Sequence, residues 1–199
     1  MKISGNAGFR MLSAPVSNGT YSDLLSELWT QGMTGSDAAE ASGDNVWTWT
    51  VGSGGAGSWS VVSDLGNTMT AGAGILVYAF ADNNYDGTDD LPVTLSVSGT
   101  ESSGDVRYPA SSGTIEDGRY GFAGNPYYQT IDWDDVAKTN VNATVYIHDD
   151  AKSGGAGYIT IQKANKSNST GTFYRTLDGA SDGSSYLEFT TADGGYSKS

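Results

Sequence analysis

Short runs of β-branched and aromatic residues, each bounded by Gly, Asn, Asp or Ser, recur along this 199-residue chain. Such runs predict strands, and the residues that bound them predict tight turns. We therefore predict an all-β, sandwich-like fold, and a chain of this length is long enough to bury a sizeable core. The eight predicted strands cover residues 45–51, 59–62, 75–80, 93–97, 144–147, 158–162, 172–176 and 186–190.

One segment departs from this pattern and predicts a helix. Thr20 is a suitable N-cap, and Gly32 is suitable for ending the helix. Four apolar residues between them recur at helical spacing: Leu24, Leu25, Leu28 and Trp29. A second short helix is predicted over residues 132–138.

A weak internal repeat suggests that a single domain, residues 1–199, is built from two related halves. The pentapeptide at 53–57 recurs at 153–157, and an aromatic residue follows each copy, Trp59 or Tyr158. Each half also begins with a Phe-containing or Tyr-containing stretch that leads to a Pro. We place the halves near residues 8–98 and 119–199.

Charge and composition exclude several classes of function. The chain carries 10 Lys and Arg against 23 Asp and Glu, a net charge of −13 that repels phosphate backbones and anionic lipids. We therefore expect no nucleic-acid partner, and since no run approaches the length of a membrane span, no membrane insertion. The chain has no cysteine, which removes disulfides, thiolate metal sites and cysteine catalysis.

Catalytic residues are scarce, and we predict that the chain is not an enzyme. His148 is the single histidine; although Asp149 and Asp150 follow it, a histidine in this position is more often a surface residue. No Gly-x-Ser-x-Gly motif is present to supply a serine nucleophile. A glycosidase needs only two carboxyl groups, but nothing selects a pair from the available acids. Those acids are Glu27, Glu101, Glu116, Asp132, Asp134, Asp135 and Glu188.

The sharpest motif is an acidic loop over residues 82–90, which follows an apolar run. Its alternating oxygen ligands and its Gly87 turn resemble the start of a calcium loop, but Val93 stands where an EF-hand needs a bidentate Glu. We predict possible calcium ligands at Asp82, Asn84, Asp86, Thr88 and Asp90. The alternative is a hairpin connection in which Asn and Gly adopt positive φ angles and the carboxylates are solvated.

Aromatic residues supply the candidates for ligand binding, because sugar rings stack on aromatic side chains. Trp47 and Trp49 share one face if residues 45–51 form a strand, although such alternation is also typical of packing in a core, which is the preferred interpretation. Tyr127, Tyr128 and Trp133 follow a Pro and are expected nearer a loop.

Eight segments of the chain form a recognisable set: GFRMLSAPV (8–16), LWTQG (28–32), NVWTW (45–49), GILVY (74–78), the loop at 82–90, LSVSGT (95–100), GNPY (124–127) and TIDWD (130–134). Together they resemble a β-rich module of secreted Bacteroidetes-type proteins, one usually found upstream of a type IX secretion sorting domain. The resemblance covers residues 8–150 and implies export to an extracellular or cell-surface location. It implies a structural, adhesive or ligand-presenting role and supplies no catalytic residues.

Two functional hypotheses follow. The first is a non-catalytic extracellular structural or adhesion module that calcium stabilises at the Asp82 loop. The second is a carbohydrate-binding module of a secreted polysaccharide-degrading enzyme, whose ligand contacts surface Trp and Tyr side chains. A cluster of three solvent-exposed aromatic residues on one face would favour the second hypothesis, whereas burial of all five tryptophans would favour the first.

Overall fold

The computed structural model describes residues 1–51, 57–110, 115, 119–131, 136, 144–149, 157–164, 173–177 and 186–190. These residues form twelve strands and one helix. The elements are β1 (Lys2–Ile3), β2 (Gly8–Leu12), β3 (Val16–Ser17), α1 (Tyr21–Leu25), β4 (Val46–Thr50), β5 (Ser58–Val61), β6 (Ile75–Ala79), β7 (Val93–Thr94), β8 (Thr100–Glu101), β9 (Val145–Asp149), β10 (Gly157–Ala164), β11 (Phe173–Leu177) and β12 (Tyr186–Thr190).

The strands pair antiparallel throughout, which confirms the all-β prediction. One four-stranded sheet has the order β2-β6-β4-β5, and the other is a meander with the order β12-β11-β10-β9. Two smaller sheets pair β1 with β7 and β3 with β8. Each of the eight predicted strands overlaps an observed one, although β7 is only two residues long.

Four strands were not predicted: β1, β2, β3 and β8. Three of them are only two residues long, too short for alternation to be recognisable. The fourth, β2, begins at a glycine and carries Arg10 at its centre, so its composition is not typical of a strand. It is set by pairing with β6, sixty or more residues away in the sequence.

The helix begins where the sequence predicts but is shorter. Thr20 is the N-cap, and its Oγ1 accepts a hydrogen bond from the backbone N–H of Asp23 at 3.2 Å. The prediction that the helix continues through Leu28 and Trp29 to Gly32 is wrong, since α1 ends at Leu25. Side chains outside the helix take the later backbone donors: Asp37 Oδ2 accepts from Thr30 N at 2.8 Å, and Asn45 Oδ1 accepts from Gln31 N at 2.9 Å.

The second predicted helix, over 132–138, lies outside the described residues apart from Val136.

The hydrophobic core lies on one face of the β2-β6-β4-β5 sheet. Because directly opposite residues of an antiparallel pair point to the same face, the pairs Leu12 with Ile75 and Val46 with Val77 lie together. All four are buried, and Val46 and Val77 are 0 % exposed. The rest of this core consists of Ala79 of β6, Ile3 of β1 and residues of the helix and the connecting segments, which are Ala14, Tyr21, Leu24, Leu25, Leu28, Met33, Val62, Leu65, Met69 and Leu95.

The chain divides into two compact units, Met1–Gln129 and Thr130–Ser199. The first contains α1 and β1 to β8, and the second contains β9 to β12. The predicted second half, 119–199, begins inside the first unit, and the two four-stranded sheets differ in strand order. Duplication stays a prediction, because the repeated pentapeptide lies largely outside the described residues.

Neighbouring residues on β6 provide a test of which face is the core. Ile75→Ala removes a side chain that is 2 % exposed, and we expect it to lower the free energy of unfolding by about 2–5 kcal/mol. The matched control, Leu76→Ala, removes a half-buried side chain from the opposite face and should cost clearly less. Urea unfolding followed by tryptophan fluorescence measures both. Equal losses of unfolding free energy in the two variants would contradict the assignment of the core to the Ile75 face.

Candidate functional site

The face of the β2-β6-β4-β5 sheet opposite the core is also apolar. Strand register places its residues together: Phe9 lies opposite Tyr78, Trp47 opposite both Leu76 and Val61, and Trp49 opposite Trp59. Five of its eight side chains are aromatic. We call this surface the aromatic face; its members are Phe9, Met11, Trp47, Trp49, Trp59, Val61, Leu76 and Tyr78.

The aromatic face retains substantial solvent exposure. Phe9 is 48 %, Val61 42 % and Trp59 40 % exposed, and the other five members are half-buried. An exposed apolar surface of this kind marks an interaction site more often than a structural need. The preferred interpretation of Trp47 and Trp49 as core residues is therefore wrong: they share a face of β4 as predicted, but it is the face turned away from the core.

Six aromatic rings form a continuous series of contacts across this surface and beyond the sheet. Successive ring centroids lie 5.9, 5.2, 5.0, 6.0 and 4.6 Å apart, within the range of favourable aromatic pairs. We call this series the ring run; in order, its members are Trp47, Phe9, Tyr78, Phe80, Tyr85 and Trp29.

A second group of rings lies at the β4 and β5 side of the aromatic face. Trp49 and Trp59 meet edge to face at 5.0 Å, and Phe122 meets Trp59 at 5.3 Å. Trp49 Nε1 donates to the carbonyl oxygen of Tyr120 at 2.9 Å. These contacts fix the orientations of both tryptophan rings and leave Trp59 among the exposed residues of the face.

The absence of a side chain at Gly57 leaves room for the Trp49 ring beside β5. A Cβ atom at this position would lie 2.5 Å from the indole ring and 2.9 Å from the carbonyl oxygen of Thr50. Its φ of +98° also lies in the region that favours glycine. A side chain at position 57 would therefore displace Trp49.

Two of the loop aromatics predicted as ligand contacts, Tyr127 and Tyr128, are not members of the aromatic face. The Tyr127 hydroxyl donates to the carbonyl oxygen of Gly104 at 2.8 Å and accepts from Val106 N at 3.3 Å, so this side chain holds a turn. Tyr128 is 66 % exposed, and its hydroxyl accepts from Gln129 Nε2. Trp133 lies outside the described residues.

Sequence reasoning missed Phe9, Trp59, Tyr78 and Phe80 as site residues. The alternation of Leu76, Tyr78 and Phe80 was a usable signal, because it places all three on one face of a strand. No pattern in the neighbouring sequence predicts that Phe9 joins the aromatic face, since its position depends on the pairing of β2 with β6.

The Asp82 loop is organised by its own side chains. Asp82 Oδ1 accepts from Asn84 N at 3.2 Å, and Asp82 Oδ2 accepts from Gly87 N at 2.8 Å. Asn84 Oδ1 accepts from Asp86 N at 3.0 Å, and Asp86 Oδ1 accepts from Thr88 N at 2.9 Å. This pattern is a series of Asx turns, in which side-chain oxygens bind the backbone two or more residues ahead.

Two further side chains attach the loop to its surroundings. Asp90 Oδ2 accepts from Asn83 N at 2.7 Å and so joins the two ends of the loop. Asn83 Nδ2 donates to the carbonyl oxygen of Glu27 at 2.8 Å, which ties the loop to the segment that follows α1.

Hydrogen bonding also sets the ionisation of Asp82. Desolvation raises its pKa, but hydrogen bonds from the backbone N–H groups of Gly87, Asn84, Tyr85 and Asp86 outweigh this effect and hold the pKa below its usual value. Asp82 is therefore ionised at neutral pH. Among the described residues, however, no three Asp, Glu or His side chains lie together as a metal-binding group.

Two further features bear on catalysis, a cavity beside α1 and the single histidine. A shallow cavity of about 280 Å³ is lined by serines and by a single carboxylate, Asp23, whereas glycoside hydrolysis needs two. His148 lies on β9 opposite Tyr158 of β10, and the two rings meet at 5.4 Å.

No family model matches this chain, and neither a curated protein nor a solved structure matches it. Within the described residues, no helix has the length and apolar character needed to cross a membrane.

The lowered pKa of Asp82 predicts a pH-dependent contribution to stability. Because the folded-state pKa lies below the unfolded one, the contribution is present above the unfolded value, about pH 4, and is lost as pH falls through the folded value. Asp82→Asn should lower the melting temperature at pH 7, and the difference from wild type should shrink in acid. Asp89→Asn, at an exposed neighbour, controls for the charge change. A difference that grew in acid would contradict this account.

Proposed function

We propose that this chain is a non-catalytic extracellular binding module that attaches to a polysaccharide through its aromatic face. The observation that carries the proposal is the placement of five aromatic side chains on one face of a sheet, of which Phe9 and Trp59 are exposed and the other three are half-buried. This face thus has two exposed aromatic residues rather than the expected three. None of the four tryptophans in the described residues is buried, so the burial that would favour a purely structural role is not found there.

Aromatic character favours a sugar over a protein as the occupant of this face. The flat apolar C–H faces of sugar rings stack on aromatic rings, and Phe9 and Trp59 of this face remain 48 % and 40 % exposed. The net charge of −13 adds a constraint, because it repels an anionic polymer. The expected occupant is therefore a neutral polysaccharide.

The resemblance to secreted modules supplies the remaining parts of the proposal, namely the extracellular or cell-surface location and the adhesive role. A binding face on a non-catalytic module suits attachment either of a cell or of a linked enzyme to a polysaccharide.

A panel of polysaccharides tests the proposal. We expect the wild-type chain to be retained by at least one neutral polymer among cellulose, chitin, xylan and mannan, and not by alginate or polygalacturonate. Phe9→Ala and Trp59→Ala, which remove the two most exposed rings of the aromatic face, should each weaken retention about fivefold to tenfold.

Tyr146→Ala is the matched control, because Tyr146 is also 48 % exposed but belongs to the second unit. It should bind as wild type. Failure of the wild-type chain to bind any neutral polymer would contradict the proposal. Self-association that disappears in Phe9→Ala, measured by sedimentation, would instead assign the aromatic face to a second copy.

We also propose that calcium reinforces the Asp82 loop. The support is the ionised carboxylate of Asp82 and its alternation with Asn84 and Asp86 oxygens, each of which keeps a lone pair beyond the hydrogen bond that it accepts. Binding would require these oxygens, with Thr88 and Asp90, to converge around the ion.

Thermal unfolding with calcium or with a chelator tests this second proposal. A cation that binds only the folded chain stabilises it by about 2.7 kcal/mol at a concentration a hundredfold above Kd. We expect calcium to raise the melting temperature of wild type but not of Asp86→Ala. An unchanged melting temperature of wild type at millimolar calcium would remove the site.

A further inference from the structure

The ring run leaves the sheet at Phe80 and continues into the Asp82 loop. Phe80 follows β6 on the same side as Tyr78, and its ring lies 6.0 Å from that of Tyr85. The Tyr85 ring then meets Trp29 at 4.6 Å, although the Tyr85 residue remains 57 % exposed. The aromatic surface is therefore longer than the sheet that carries it.

The Asp82 loop holds the backbone of Tyr85 in a conformation that is unfavourable for a tyrosine. Its φ of 59° is left-handed, which is unfavourable for a residue with a large side chain. The two hydrogen bonds to Asp82, from Asn84 N and Gly87 N, bracket Tyr85 in sequence and fix the backbone on both sides of it. Residues kept in such conformations by their surroundings are often part of a binding surface.

Hydrogen bonds from outside the Asp82 loop hold Trp29, the last member of the ring run. Its Nε1 donates to Gln31 Oε1 at 3.1 Å, and its carbonyl oxygen accepts from the buried amide of Asn45 at 2.8 Å. Asn83 joins the loop to Glu27, two residues before Trp29. Both partners of the final ring contact are thus held by hydrogen bonds rather than by packing alone.

We propose that the ring run is one continuous binding surface, in which Tyr85 and Trp29 form a subsite for a distant sugar of an extended polysaccharide chain. This inference rests on the function proposed above and adds that the occupant is long enough to reach from β4 to the loop. Asp82 acts as a positioning residue, because it holds Tyr85 without joining the run. Its carboxylate and that of Asp86 also oppose an anionic sugar at this subsite.

Chain-length dependence tests the inference. The wild-type chain is titrated calorimetrically with the disaccharide and the hexasaccharide of the polymer retained in the panel, for example cellobiose and cellohexaose, or chitobiose and chitohexaose. Tyr85→Gly removes the ring and is compatible with the positive φ, so it should fold normally. It should bind the hexasaccharide about fivefold to tenfold more weakly, so that the affinity advantage of the hexasaccharide over the disaccharide becomes smaller.

Two further variants separate positioning from general stability. Tyr85→Phe keeps the ring and should bind both sugars as wild type. Asp82→Asn should weaken hexasaccharide binding and should change the near-ultraviolet circular dichroism of the aromatic pair in the same direction as Tyr85→Gly. That spectroscopic change would not follow from a purely structural loss elsewhere.

The outcomes distinguish this inference from the proposed function. If Phe9→Ala abolishes hexasaccharide binding but Tyr85→Gly has no effect on it, the binding module stands and the extended surface is overturned. Equal affinity of the wild-type chain for the disaccharide and the hexasaccharide also overturns it. No binding of any neutral polymer overturns both.

Discussion

The arrangement of the first unit depends on one buried amide, that of Asn45. This residue is 2 % exposed; its Nδ2 donates to the carbonyl oxygens of Trp29 and Tyr78 at 2.8 and 3.1 Å, and its Oδ1 accepts from Gln31 N. The amide therefore joins the start of β4, the end of β6 and the segment after α1. A polar atom of the buried Asn45 amide left without its partner would cost about 1–3 kcal/mol, so the three segments are strongly held together.

This junction lies between two surfaces of one sheet that differ in exposure. On one face, Val46 and Val77 are fully buried in the same core as the helix residues Leu24 and Leu25. On the other, Phe9 and Trp59 remain exposed, and the ring run continues to Tyr85 and to Trp29, whose carbonyl oxygen the same junction holds. A rigid sheet that presents aromatic rings in fixed orientations loses little entropy on binding, which suits a module whose proposed role is attachment.

Local signals predicted much of this structure. The alternation at Trp47 and Trp49 predicted β4, and Thr20 predicted the start of the helix. The predicted end of the helix was wrong because it depends on a distant group: Asn45 competes for Gln31 N. The preferred interpretation of Trp47 as a core residue was wrong because a single strand does not show which of its faces packs against the core. The Asp82 loop was predicted as a turn or a calcium site, and its Asx turns are compatible with either.

The central claim is that the aromatic face of the first unit, rather than the second unit, contacts the polysaccharide. The most direct measurement is a titration of the ¹⁵N-labelled chain with a soluble oligosaccharide of the retained polymer, followed by two-dimensional NMR. The account predicts changes in the indole signals of Trp47, Trp49 and Trp59 and in the backbone signals of β2, β4, β5 and β6. Changes confined to β9, β10, β11 and β12 would contradict it.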